Sequence, residues 1–129
     1  MLFHIFNSQK ERRDFGGSEF IEIQFCRLPR GTGIKKLTAV ESIKNWQDDS
    51  LYVSDENTFY REYADIFNCG IYNNLESGTV DMYGINYYAP SLTDPIIERL
   101  INDKPADYEV LVEWLRMSKA YNGFYILGI

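Results

Sequence analysis

The sequence has little of the chemistry that most active sites need. Histidine occurs once, as His4, and cysteine occurs twice, as Cys26 and Cys69. A single histidine excludes a histidine-based metal cluster and a catalytic triad with a second base in reserve. Two cysteines without C-x-x-C spacing form neither a disulfide framework nor a zinc finger, so we expect buried, reduced thiols. We therefore expect no metal and no cofactor.

Long apolar runs are also missing. No stretch approaches the ~20 apolar residues that a membrane-spanning helix needs. The apolar piece Met1–Phe6 is too short for a signal peptide, and the charged run follows it instead of preceding it. Reduced thiols are also typical of the cytosol. We therefore expect a cytoplasmic protein that does not enter the membrane.

Charge is abundant but unevenly distributed over the 129 residues, a length that suits one domain with a single core. The net charge is −6, with seven Lys/Arg and four Asp/Glu in residues 1–36 and six and fifteen in residues 37–129. An acidic body repels nucleic acid and anionic membranes, and attracts a basic protein. The same charge would also serve solubility without any partner. Ten tyrosines favour a binding role, because the ring can pack while its hydroxyl stays hydrated.

Alternating apolar and polar residues predict strands at both ends of the chain. The clearest candidate is Glu19–Arg27, in which Glu22 and Gln24 alternate with apolar residues as on a half-buried strand. Asn7–Ser18 is polar and contains two glycines, which predicts a loop. The further candidate strands are Leu2–Phe6, Leu51–Val53, the 79–89 segment with a joint at Gly84, and Phe124–Ile129.

Helices are predicted between these strands from capping and breaking signals. A capping box starting at Thr38 predicts a helix over Ala39–Gln47. Ser54 or Asp55 can cap Glu56–Phe67, and Ser91 can cap a helix with an apolar stripe at residues 96, 97, 100 and 101. Pro105 ends that helix and begins the last one. The chain is therefore expected to be α+β, with a mostly antiparallel sheet of four or five strands and three to four helices packed mainly on one face.

The basic segment Leu28–Lys36 predicts a loop, because it contains one proline and two glycines. Its sequence lacks the spacing of a P-loop and the third glycine of a dinucleotide-binding turn. An ordinary solvated turn is one interpretation. The alternative is a phosphate- or nucleic-acid-binding module that uses Arg27, Arg30, Lys35 and Lys36.

The segment 48–65 is the most distinctive polar feature, with six carboxylates and three tyrosines against a single arginine. Carboxylates beside tyrosine favour a surface that binds a Lys/Arg-rich protein. The alternatives are a solvated helix face with half-buried rings, or a carboxylate-based site of a small enzyme, although the EF-hand pattern is absent. The candidate partner-binding residues are Asp48, Asp49, Tyr52, Asp55, Glu56, Tyr60, Glu62, Tyr63 and Asp65.

The C-terminal part of the chain suggests a family. The segments Lys104–Leu115 and Tyr121–Ile129, within about the last 45 residues, resemble bacterial immunity proteins of contact-dependent growth inhibition systems, particularly those paired with ribonuclease toxins. The resemblance implies a cytoplasmic, non-enzymatic inhibitor that binds one cognate toxin domain and blocks its active site or its substrate's access. It transfers no contact residues, because the family shares no toxin-binding motif.

Overall fold

A computed structural model describes residues 1–15, 21–39 and 47–128, and the described strands form one seven-stranded antiparallel sheet. The strand order is β1-β3-β2-β7-β6-β4-β5. The α+β class and the antiparallel sheet are confirmed. The sheet has more strands than expected because β4 and β5 contain only two residues each, too few to alternate, whereas the equally short β1 lies within the predicted strand Leu2–Phe6. The strands are Phe3–His4 (β1), Ile21–Phe25 (β2), Leu51–Val53 (β3), Gly70–Ile71 (β4), Ser77–Gly78 (β5), Ile85–Tyr88 (β6) and Phe124–Leu127 (β7).

Helices lie on both sides of this sheet. The three longest, α3, α4 and α5, cover what we call the first face, and the short helices α1 and α2 lie on the second face. The expected packing of helices mainly on one face is therefore confirmed. The described helices are Gln9–Asp14 (α1), Ile34–Leu37 (α2), Glu56–Tyr63 (α3), Thr93–Asp103 (α4) and Tyr108–Ser118 (α5), with a short 3-10 helix at Pro90–Leu92.

Local signals explain where several helices differ from the sequence predictions. The loop predicted over Asn7–Ser18 is wrong in part, because Ser8 caps α1 by accepting the N–H of Glu11 at 3.0 Å. The predicted helix over Glu56–Phe67 ends at Tyr63, and a turn follows. Ser91 does not cap α4, which begins after the 3-10 helix without a side-chain cap. The helix predicted over Ala39–Gln47 lies largely outside the described residues.

The first face carries the main core, and aromatic rings form its centre. Ile21, Ile23 and Phe25 of β2 point towards this face, where Phe25 stacks on Trp114 of α5 with ring centroids 4.1 Å apart. Phe67, which follows α3, meets Phe124 of β7 edge-on at 6.3 Å. Burying each large apolar side chain contributes about 1.5–3 kcal/mol, so this layer fixes the helices on the sheet.

Six tyrosine hydroxyls are used inside the molecule. Each donates a hydrogen bond to a backbone carbonyl, at 2.5–3.3 Å, and most of these carbonyls belong to connections between elements. The donor–acceptor pairs are Tyr52–Gln47, Tyr63–Ala106, Tyr72–Thr79, Tyr87–Asn122, Tyr88–Phe67 and Tyr125–Leu37. All ten tyrosines lie in described residues, and only Tyr60 and Tyr83 are exposed. The interpretation of tyrosine as a sign of binding therefore applies to these two at most.

The second face holds a polar cluster that the alternating pattern placed in solvent. Glu22 and Gln24 are each only 3% exposed, so the predicted half-buried strand is wrong on this side. The Arg12 guanidinium of α1 lies 4.8 Å from the centroid of Tyr52, which is the cross-strand neighbour of Glu22. Burial raises the pKa of Glu22 from its ordinary 4.5 to about 7, against the opposing effects of Arg12, Tyr52 and Gln24.

Removing the Tyr88 hydroxyl should destabilise the fold. In Tyr88→Phe the carbonyl of Phe67 loses its 2.8 Å hydrogen bond and stays buried, which we expect to lower the free energy of unfolding by about 1–3 kcal/mol. Urea denaturation measures this change. The matched control is Tyr60→Phe, which removes the same atom from an exposed ring and should change stability by less than about 0.5 kcal/mol. Equal effects of the two variants would contradict the role of buried hydroxyls.

Glu22 should make stability depend on pH in a direction opposite to that of a salt-bridged carboxylate. Between pH 4.5 and about 7 the unfolded chain releases the proton of the Glu22 carboxyl, while the folded chain retains it. The contribution of Glu22 to the free energy of unfolding is therefore lost as pH rises through this range. Glu22→Gln removes this effect, and its stability relative to the native chain should rise by up to about 3 kcal/mol across that window. Denaturation at several pH values, with exposed Glu98→Gln as control, checks this expectation. Parallel pH curves for the native chain and Glu22→Gln would refute it.

Candidate partner-binding surface

Of the nine candidate residues, Tyr52 lies within β3 and the other eight lie before or after this strand along the chain. Asp48 and Asp49 precede the strand, whereas Asp55 and the residues of α3 follow it. Leu51–Val53 is fully buried between the two groups. The nine residues therefore do not form one continuous surface, and each group has its own surroundings.

At the first end, Asp49 is engaged within the chain. Its carboxylate pairs with the Arg27 guanidinium, and its backbone carbonyl accepts the indole N–H of Trp114 at 2.8 Å. The Arg27 guanidinium also lies 5.3 Å from the ring centroid of Tyr121. Arg27 and Asp49 thus neutralise each other where β2 ends, and Asp48 is the exposed carboxylate of this turn. The contribution of Asp49 is mainly structural.

Two of the candidate residues cannot contact a partner in this conformation. The relative exposure of Tyr52 and of Tyr63 is 0%. Tyr52 packs against Phe6 on the second face, and Tyr63 packs between α3 and β1, where it contacts Phe3. Their assignment as partner-binding residues is corrected here. For Tyr63, the alternative interpretation of a helix face with rings turned towards the core describes the structure better.

Helix α3 keeps its carboxylates at its surface, although two of them also have structural roles. Asp55 accepts hydrogen bonds from the backbone N–H and the hydroxyl of Thr58, at 3.1 and 2.8 Å, and these bonds lower the pKa of Asp55. Glu62 accepts the backbone N–H of Ala106 at 2.9 Å. Glu56 and Tyr60 are one helical turn apart and project from the same side of α3.

We call the accessible part of this region the α3 acidic surface, defined as Asp55, Glu56, Tyr60 and Asp65. Phe59 and Tyr63 face the core, and Glu56 and Tyr60 lie at the edge of this buried side, where Glu56 is half-buried and Tyr60 is exposed. Tyr60 is 42% exposed and lies four residues after Glu56. A half-exposed ring beside carboxylates can pack on a partner while the carboxylates meet Lys or Arg.

Sequence reasoning missed a recess beside this surface. Asp107 lies at the N-terminus of α5 with φ +59° and accepts the backbone N–H groups of Leu2 and Phe3, at 3.2 and 3.1 Å. A recess of about 400 Å³ lies between this carboxylate and Asp55. Helix N-termini stabilise both carboxylates. The sequence indicates Asp107 as favourable for a helix start, but contains no sign of its contact with β1.

A second feature that sequence reasoning missed is a long stretch without Lys or Arg, most of which follows the segment 48–65. Residues 62–98 include six carboxylates and no lysine or arginine. The most exposed tyrosine, Tyr83, lies in this stretch and is 78% exposed. The absence of Lys and Arg over 37 residues is the sequence signal that could have identified this region.

The basic loop has mostly internal partners. Arg30 donates to the carbonyls of Lys119 and Tyr121, at 3.1 and 3.2 Å, next to the end of α5, and Arg27 is paired with Asp49. Lys35 and Lys36 remain exposed on α2. This segment is not wholly a loop, since Ile34–Leu37 forms one helical turn.

Metal and membrane sites were also sought in residues 1–15, 21–39 and 47–128. Over these residues no group of three or more His, Cys, Asp or Glu side chains is arranged to hold a metal ion. Within the same part of the chain, no helix combines the length and apolarity needed to cross a membrane.

Comparisons with protein-family models, with curated proteins and with solved structures gave no match. The resemblance to immunity proteins therefore remains a prediction from the residues of the C-terminal part. The function proposed below rests on the charges and exposed side chains of the described residues.

Proposed function

We propose that this chain is an immunity protein that binds a cognate basic nuclease toxin domain in the cytoplasm and neutralises it without catalysis. The observation that carries the proposal is the separation of charge across the sheet. Among the described helices, α1 and α2 on the second face carry five Lys/Arg and two Asp/Glu. Helices α3, α4 and α5 on the first face carry seven Asp/Glu and three Arg. A basic partner is therefore attracted more strongly to the first face than to the second.

This charge arrangement suits inhibition of an enzyme that cleaves RNA. Such an enzyme must present a cationic surface to phosphates, and an acidic protein can cover that surface and exclude the substrate. Opposite charges accelerate the encounter, while an aromatic anchor such as Tyr60 slows dissociation. A nucleic-acid-binding role is less favoured, because Arg27 and Arg30 of the basic loop, although exposed, already bind the Asp49 carboxylate and backbone carbonyls of this chain.

The direct test expresses the product of the coding region beside this gene, in which we expect a nuclease domain. We expect the purified chain to form a stoichiometric complex with that domain and to abolish its cleavage of RNA. The association rate should fall as salt rises, because steering by exposed charges is screened. Full RNA cleavage in the presence of excess chain would overturn the proposal, and RNA binding by the chain itself would favour the basic-loop alternative.

The α3 acidic surface should carry part of this affinity. We expect Glu56→Lys combined with Tyr60→Ala to raise the Kd for the nuclease domain at least tenfold, because a carboxylate and an exposed ring are lost together. Asp55 is left unchanged, since it caps α3.

The matched control is Glu109→Lys, which reverses a charge in the first turn of α5 and so disturbs a helix dipole in the same way. Titration calorimetry should show nearly native binding for this control. Equal losses in the two variants would place the interface elsewhere on the first face and contradict the α3 assignment.

A further inference from the structure

Two large apolar side chains protrude from one end of the sheet, outside the α3 acidic surface. Leu75 is 42% exposed in the connection between β4 and β5, and Tyr83 is 78% exposed in the connection between β5 and β6. Ile71 of β4 pairs antiparallel with Tyr87 of β6, so β6 begins at the end of the sheet where β4 finishes. The last residues of the β5–β6 connection, which include Tyr83, therefore reach the same end of the sheet as the β4–β5 connection.

Leu75 occupies a backbone conformation that leucine rarely adopts. Its φ is +72°, in the left-handed region where glycine and asparagine are favoured. The turn is held by hydrogen bonds from the N–H of Leu75 to the carbonyl of Tyr72, at 2.9 Å, and from the N–H of Tyr72 to that of Glu76, at 2.8 Å. Strain of this kind persists where the surroundings fix it, and it is found preferentially at functional sites.

Tyr83 is held in place by its own turn. Its N–H donates to the Asp81 carboxylate at 2.9 Å, and the N–H of Asp81 donates to the side-chain carbonyl of Asn86 at 2.7 Å. Gly128 packs so closely against this turn that a Cβ there would lie 2.1 Å from the backbone of Met82. The backbone under Tyr83 is thus fixed before binding, which reduces the entropy cost of using its ring as an anchor.

The charges around these two side chains define the partner that fits them. Glu76 follows Leu75, Asp81 lies beside Tyr83, and both belong to the stretch 62–98 that has no Lys or Arg. The stretch includes Asp65 of the α3 acidic surface, and the Thr79 hydroxyl donates to the carbonyl of Ala64, the residue before Asp65, at 3.4 Å. Apolar anchors with an acidic rim fit a basic protein surface, whereas nucleic acid and anionic membranes would be repelled.

We infer that Leu75 and Tyr83 are anchors through which the chain holds its basic protein partner, with Glu76 and Asp81 meeting Lys or Arg around them. This inference rests on the proposed function and locates a part of its interface that lies outside segment 48–65. Leu75 keeps its strained conformation because the side chain is needed for contact, and an asparagine would serve the turn alone.

The test uses an asparagine at position 75, which should keep the turn but remove the apolar contact. Leu75→Asn and Tyr83→Ala are titrated against a catalytically inactive form of the nuclease domain obtained in the test of the proposed function, and their thermal unfolding is recorded. Each should raise the Kd at least tenfold, while Leu75→Asn leaves the unfolding midpoint unchanged or raises it. Ile34→Asn is the matched control for Leu75→Asn, since Ile34 is 37% exposed on α2 of the second face, and it should bind as the native chain does.

The possible outcomes separate the anchors from the function. If the native chain binds the nuclease domain and both variants bind equally well, the anchors are refuted and the proposed function stands. Weaker binding that is matched by a lower unfolding midpoint in both variants would assign the two residues to folding and also refute the anchors. If the native chain does not bind this domain, the proposed function and the anchors that rest on it both fail.

Discussion

The hydrogen bonds from buried tyrosine hydroxyls to backbone carbonyls are the interaction on which much of this structure depends. A buried carbonyl without a donor is costly, and the connections of a small domain place several carbonyls against the core. Tyrosine supplies a ring that fills the core and a donor that reaches its edge. Tyr87 and Tyr88 of the sheet bind two separate connections in this way, Tyr125 binds the last residue of α2, and Tyr63 of α3 binds the junction before α5.

Because most tyrosines serve the core, the surface has few aromatic groups, and their positions are informative. Tyr60 and Tyr83 are the two exposed tyrosines, and both have carboxylates nearby. At the other end of β3, Arg27 and Asp49 neutralise each other, so opposite charges there are used within the chain. The accessible negative charge is concentrated on the first face and along residues 62–98, where a basic partner would meet it.

Glu22 and Leu75 each break a local rule of protein structure, and they differ in their effect on stability and in their accessibility to a partner. Glu22 is a carboxylate buried within the sheet, and its pKa of about 7 records the cost of ionising it there. Leu75 is a leucine in a left-handed conformation with its side chain in solvent. Natural chains violate such rules mainly at functional or strained sites. An exposed apolar side chain can meet a partner, whereas a fully covered carboxylate acts on the stability of the fold.

The sequence by itself determined the α+β class, strand β2, and the break between the two C-terminal helices, because alternation, apolar stripes and Pro105 act within one element. It also located an acidic segment. Only the tertiary structure decided that Tyr52 and Tyr63 are buried while Tyr60 and Tyr83 are exposed, and that Asp107 binds Leu2 and Phe3 across more than 100 residues. A local pattern shows which side of an element faces a core, but what covers the other side depends on distant segments of the chain.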